Sequence, residues 1–286
     1  MALHTSSSND SGISESIGFM LIFAIVIAGI GLVTLYGYPL LLQQQTSADE
    51  QIMEKNMIVL QNDIKSLAYK TVPFKETSLK IGGGPLTVYN SSHSLPSSTL
   101  AIYDSGTLTS YLPPPYDVSP SLFTPGELRY ESQSSETDIS LQNGAVVMRP
   151  RILSGSTMLA QPRWFYDDST NTMVINLFEI TSTDIIAKEG IGTVQMEMVG
   201  KPYYKETFVP PNQDVTLDYD PDSTQDYSAA WDNYIINTWN FPKLYKTSDY
   251  VGGSPPGTSV QYKFTNPKSS DMALVIKIFK VNIKSI

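Results

Sequence analysis

From Ile17 to Leu42 (IGFMLIFAIVIAGIGLVTLYGYPLLL) no position is charged and almost none is polar. At about 1.5 Å of rise per residue, such a run crosses the ~30 Å hydrocarbon core of a bilayer as one helix. Gly37 and Pro39 predict a loosened or kinked turn near its far end. Beyond Gln43 to Gln45 the pattern becomes two-sided. Ile52, Met53, Met57, Leu60, Ile64 and Leu67 recur at three- and four-residue spacing, with Thr46 or Ser47 as cap and Asp49 and Glu50 in the first turn. This predicts an amphipathic helix over 48–70, whose apolar face lies on the rest of the chain or in a bundle with other copies. One long, interrupted helix from about Gly12 to Tyr69 is consistent with both runs.

From Val72 the period drops to two, in short runs broken by turn residues. SLKI and LTVY flank Gly82-Gly83-Gly84-Pro85, TLAIY and TLTSY flank Asp104-Ser105-Gly106, and both pairs read as hairpins. DISL and AVVMR surround Asn143-Gly144, the strongest two-residue hairpin signal in the chain. RWFY and TMVINLFEI form a further pair, and GTVQMEMV a single strand. The stretch LPPPYDVSPSLFTP is a loop, since proline cannot donate to a central ladder. One helix over about 223–240 interrupts the strands and places Trp231, Ile235 and Trp239 on one face, for packing on a sheet. ALVIKIFKVNIKSI reads as a closing strand; the spacing of Lys277, Lys280 and Lys284 supplies a second-ranked helical reading.

The expected fold class is therefore α+β: a long transmembrane helix followed by a mainly antiparallel, sandwich-like β domain. Its parts are a polar, disordered leader (1–16), the span (17–43), an amphipathic stalk (44–71) and a β-rich domain (72–286). A secretory signal would carry a basic n-region and a shorter apolar run. No Lys or Arg precedes this span, so a retained anchor is expected.

The chain carries 19 Lys and Arg against 28 Asp and Glu, and with Asp10 and Glu15 set aside the residues after the span sum to 19 − 26 = −7. That charge excludes nucleic acid and an anionic lipid surface as partners of the β domain. Lys55 is the first cation, so charge leaves the orientation open. Richness in Ser, Thr and Tyr without any cysteine favours an extracytoplasmic domain. Cysteine chemistry of every kind is excluded.

Candidate chemistry is sparse. His4 and His93 are the two histidines, no GxSxG elbow surrounds a serine, and the glycines at 82–84 lack the lysine and helix of a phosphate loop. No enzyme and no cofactor are expected. Asp218, Asp220, Asp222 and Asp226 resemble the opening of a calcium loop, although Ser223 and Ala229 stand where its glycine and glutamate belong. An acidic lead into a helix N-terminus is equally favourable without metal. Asn9 and Asn90 begin N-x-S sequons.

Residues 12–21, GISESIGFML, resemble the start of archaeal type IV pilin-like proteins, and LQNGAVVMRP and GSTMLAQP are similar to stretches of uncharacterised members of that class. The resemblance implies a non-enzymatic cell-surface protein in the membrane, a leader trimmed by a prepilin peptidase, and helices packed as a filament core with related subunits. Ala24, Ala28, Gly29 and Gly31 then form the small-residue packing stripe. Glu15 then either pairs with a neighbour's terminal amine or stands in interfacial water. The role implied is assembly and adhesion. The alternative is a single-pass protein that never polymerises and whose β domain binds glycan or an envelope partner.

Overall fold

The computed structural model describes residues 10–70, 72–91, 98–119, 121–221, 224–239, 244–247 and 260–286, with side chains from residue 16 onward except at 238 and 244–247. Helix α1 (Asp10–Leu32) passes through a π-helical turn, Val33–Gly37, into α2 (Tyr38–Tyr69). Helix therefore begins inside the stretch expected to be a disordered leader. The π turn lies where Gly37 and Pro39 weaken the α ladder: the Tyr38 N–H reaches back five residues to the Val33 carbonyl. The chain divides into two units between Ala48 and Asp49.

The second unit continues through β1 (Phe74–Tyr89), β2 (Thr99–Asp104), β3 (Glu127–Glu131), β4 (Thr137–Gln142), β5 (Ala145–Pro150), β6 (Thr157–Ala160), β7 (Phe165–Asp167), β8 (Thr172–Thr181), β9 (Ala187–Met198), β10 (Tyr203–Val209), β11 (Asp214–Asp220), α3 (Ser228–Asn233) with a π turn over Tyr234–Thr238, β12 (Leu244–Thr247), β13 (Val260–Thr265) and β14 (Met272–Ser285). Ten strands form one sheet in the order β6-β5-β4-β3-β1-β9-β14-β8-β7, with β10 also on β14; the other four run β12-β13-β11-β2. Among the described residues only β14 and β8 pair in parallel, and the other ladders are antiparallel. The α+β class, with an apolar N-terminal helix before an antiparallel β domain, is thus the architecture found.

The period of two places alternate residues on opposite faces of the large sheet. Phe178, Ile180, Phe279, Val281 and Ile283 join Met53, Met57, Leu60, Ile64 and Leu67 of α2 in one core. Met173, Ile175, Leu177, Leu274 and Ile276 face the other way, into a core shared with the small sheet and α3. Strands β8 and β14 are buried on both sides, which is why both read as near-continuous apolar runs. Trp164 centres the second core, with ring centroids 5.4 Å from Trp231 and 5.3 Å from Trp239.

Asn143 and Gly144, both at positive φ, close the β4–β5 hairpin in the expected register. The expected hairpin at Gly82–Pro85 is not formed. SLKI and LTVY are one strand, β1, whose ladder to β9 jumps from Ile81 to Leu86. The glycines make a bulge there, held by the Tyr130 hydroxyl donating to the Gly82 carbonyl at 2.6 Å. The predicted helix over 223–240 is shorter, Ser228–Asn233 plus its π turn.

Candidate functional site

Two features stand apart from ordinary packing: the uncovered apolar helix and an ionic cluster inside the β domain. In the helix, one window is long and apolar enough to cross a membrane, with a mean hydropathy of 2.7 and none of it buried within the chain. Ala24, Ala28 and Gly29 are exposed, and a Cβ placed on Gly18, Gly29 or Gly31 would meet nothing within 4 Å. The small-residue stripe thus meets nothing in its own chain. The side chain of Glu15 lies outside the described residues, as do Asn9, His4 and His93.

The ionic cluster arises because β3, β4 and β5 place charges at alternate positions. Leu128, Tyr130, Ile139, Leu141 and Val146 turn toward α2. The intervening residues therefore turn to the opposite face, where the registers set Arg129 beside Ser140, Glu131 beside Asp138, and Asp138 beside Arg149. Arg129 pairs with Glu127 and, at 3.5 Å, with Glu131, and its guanidinium lies 4.4 Å from the centre of the Tyr89 ring. Ser140 donates to the second oxygen of Glu127. Burial works against the charge on Arg129, but Glu127 overrides it and raises the pKa of the guanidinium.

Asp138 is the least solvated member, its side chain fully buried. Arg151 Nε is 3.3 Å from one carboxylate oxygen and Arg149 Nε 3.7 Å from the other, but neither oxygen accepts a hydrogen bond among the described residues. Burial, with the charge of Glu131, raises the pKa of Asp138, and Arg151, Arg149 and Arg129 only partly offset it. The Tyr227 hydroxyl is buried without a partner among the described residues, and burial followed by the charge of Glu127 raises its pKa well above the usual value. Three arginines (129, 149, 151) face three carboxylates (127, 131, 138), so the cluster is neutral. A buried ionic network of this kind contributes little stability over apolar packing of the same volume.

Arg149 and Arg151 also line a pocket of about 250 Å³, completed by Pro150, the loop Ile152–Gly155 and Asp226. Ile152 and Leu153 on that loop are 75% and 70% exposed. Asp226 accepts the Ser228 N–H at 2.8 Å at the start of α3.

The aspartates that resemble a calcium loop are not brought together among the described residues, where no group of three His, Asp or Glu side chains is placed to hold a metal. Asp218 and Asp220 lie within β11, so their alternation belongs to one strand face rather than to a loop. Asp226 is at the arginine pocket, and Asp222 lies outside the described residues. Asn90 is half-buried and donates its amide to the Ser182 carbonyl. Sequence reasoning misses the ionic cluster, although the alternation of polar and apolar residues in ELRYE and DISLQ is its signal.

Residues 12–244 match a family of unknown function, DUF7289. No curated protein and no solved structure matches the chain.

Proposed function

We propose that this chain, which belongs to the DUF7289 family, is a non-enzymatic, single-pass membrane protein of the type IV pilin-like kind. Its N-terminal helix anchors or assembles it, and its β domain is displayed outside the cell. The observation that carries this reading is the apolar helix whose side chains find no cover within the chain. Apolar surface of that extent is stable only against lipid or against other helices. The resemblance of GISESIGFML to archaeal pilin-like starts supports assembly, as does the stripe Ala24, Ala28, Gly29 and Gly31, which allows close helix approach. Lipid and related subunits are the implied partners.

The first test is the mass of the N-terminal peptide of protein taken from its native membrane. A new terminus between Ser11 and Ile13 supports prepilin-type processing; an intact Met1 or Ala2 start overturns it. The second test is Ala28→Leu, which is expected to abolish higher-order species while membrane insertion persists. If assembly survives, the packing stripe is wrong. The reading of a non-polymerising receptor is favoured by one specific feature, the arginine-lined pocket of the β domain.

A further inference from the structure

We propose that the pocket between Arg149 and Asp226 binds a small, singly charged carboxylate bearing hydroxyl groups, a sugar acid of the uronate class. This does not depend on whether the helices assemble. Arg149 is the group that would hold the carboxylate. Its counter-charge among the described residues is Asp138, met side-on through Nε at 3.7 Å without a hydrogen bond. The terminal guanidinium nitrogens form the fork that grips a carboxylate with two parallel bonds, and here they belong to a residue lining an open pocket.

The rest of the lining sets the ligand's other features. Asp226 and Ser154 offer acceptors to hydroxyl groups, while Asp226 and the buried Asp138 disfavour a second negative charge on the ligand. A volume of about 250 Å³ lies just under the ~300–1,000 Å³ of pockets for drug-sized molecules, which suits one monosaccharide. Behind the wall, Asp138 and the Tyr227 hydroxyl are buried polar groups without hydrogen-bond partners among the described residues. Such groups are costly in a core, and they concentrate at functional sites.

The test uses the full chain in nanodiscs of neutral phosphatidylcholine, titrated with galacturonate, galactose, alanine and inorganic phosphate by saturation-transfer NMR. Galacturonate is expected to bind, and galactose about tenfold more weakly or not at all, because one charged hydrogen-bonding pair is lost. Arg149→Gln is expected to weaken galacturonate by about the same factor. Ser154→Trp, on the exposed loop, should fill the pocket and abolish binding at an unchanged melting temperature. This second variant decides the matter if Arg149→Gln fails to fold. The proposal is overturned if galacturonate does not bind, if galactose binds equally, if alanine or phosphate binds in its place, or if Ser154→Trp leaves binding intact.

Discussion

Gly126, just before β3, is the position where one added methyl group has the clearest predicted consequence. Its φ is +63°, and a Cβ there would collide with the Ile180 carbonyl oxygen and stand 2.8 Å from the Ser91 nitrogen and 3.0 Å from the Tyr89 oxygen. All three obstacles are backbone. They cannot easily retreat, because the Ser91 N–H donates to the Ile180 carbonyl at 3.2 Å and the Ile180 N–H to that of Pro125 at 2.7 Å. Gly126→Ala therefore carries two costs. The left-handed conformation costs an alanine about 1–2 kcal/mol. Overpacking adds about 1–3 kcal/mol. The sum, about 2–5 kcal/mol, lowers the melting temperature of a unit this size by roughly 4–20 °C. Gly200 is the matched control: φ is +71°, and nothing lies within 4 Å of its Cβ position. Gly200→Ala should show the conformational cost alone. Thermal unfolding of both variants in detergent, followed by near-UV circular dichroism, separates the two costs. Equal losses in the two variants would refute the close approach of β8 to the β1–β3 region.

Three further outcomes are expected. Leu60→Ala opens a cavity between α2 and the sheet and should cost about 2–5 kcal/mol in denaturant unfolding, since Leu60 is fully buried; a loss under about 1 kcal/mol would mean α2 is not a core element. Gln61 donates to the carbonyls of Gly144 at 2.7 Å and Gln161 at 2.9 Å, and Lys65 also reaches the latter. Gln61→Leu thus strands the Gly144 carbonyl and should cost about 1–3 kcal/mol despite the added apolar surface; an unchanged denaturation midpoint would contradict this. Asp138 has a raised folded pKa, so the stability it lends is full below its ordinary value of 3.8 and is lost as pH rises through the folded value. Asp138→Asn removes that dependence, and the variant should gain on the parent as pH climbs from 3.8; a constant difference across that range would rule the assignment out.

Much of the fold is legible along the chain because its signals are local. The uncharged run Ile17–Leu42 and the spacing of Met53, Met57, Leu60, Ile64 and Leu67 depend on one helical period each, and the buried face of α2 is formed by those five residues together with Gln61. Asn143-Gly144 marks its turn because few residue pairs accept positive φ twice in succession. The glycine run at 82–84 misleads, since the same backbone freedom serves a bulge within one strand as readily as a turn between two. The aspartates at 218 and 220 mislead in the same way: alternation is the period of a strand, and it looks like a ligand ladder until the strand is placed.

The candidate pocket is not legible there, and the reason is register. Asp138 and Arg149 become neighbours only when the β4–β5 hairpin closes, and Arg151 meets Asp138 only beyond the end of that ladder. Asp226 comes to the same pocket from far along the chain, at the start of α3. What the amino-acid sequence determined alone is the division into an apolar helix and an antiparallel β domain, because hydrophobic period and turn chemistry act over a few residues. The tertiary structure decided which charges are buried together and which face of each strand meets α2. Those contacts join residues distant in sequence, and a shift of one residue in any ladder would turn the arginines to the other side.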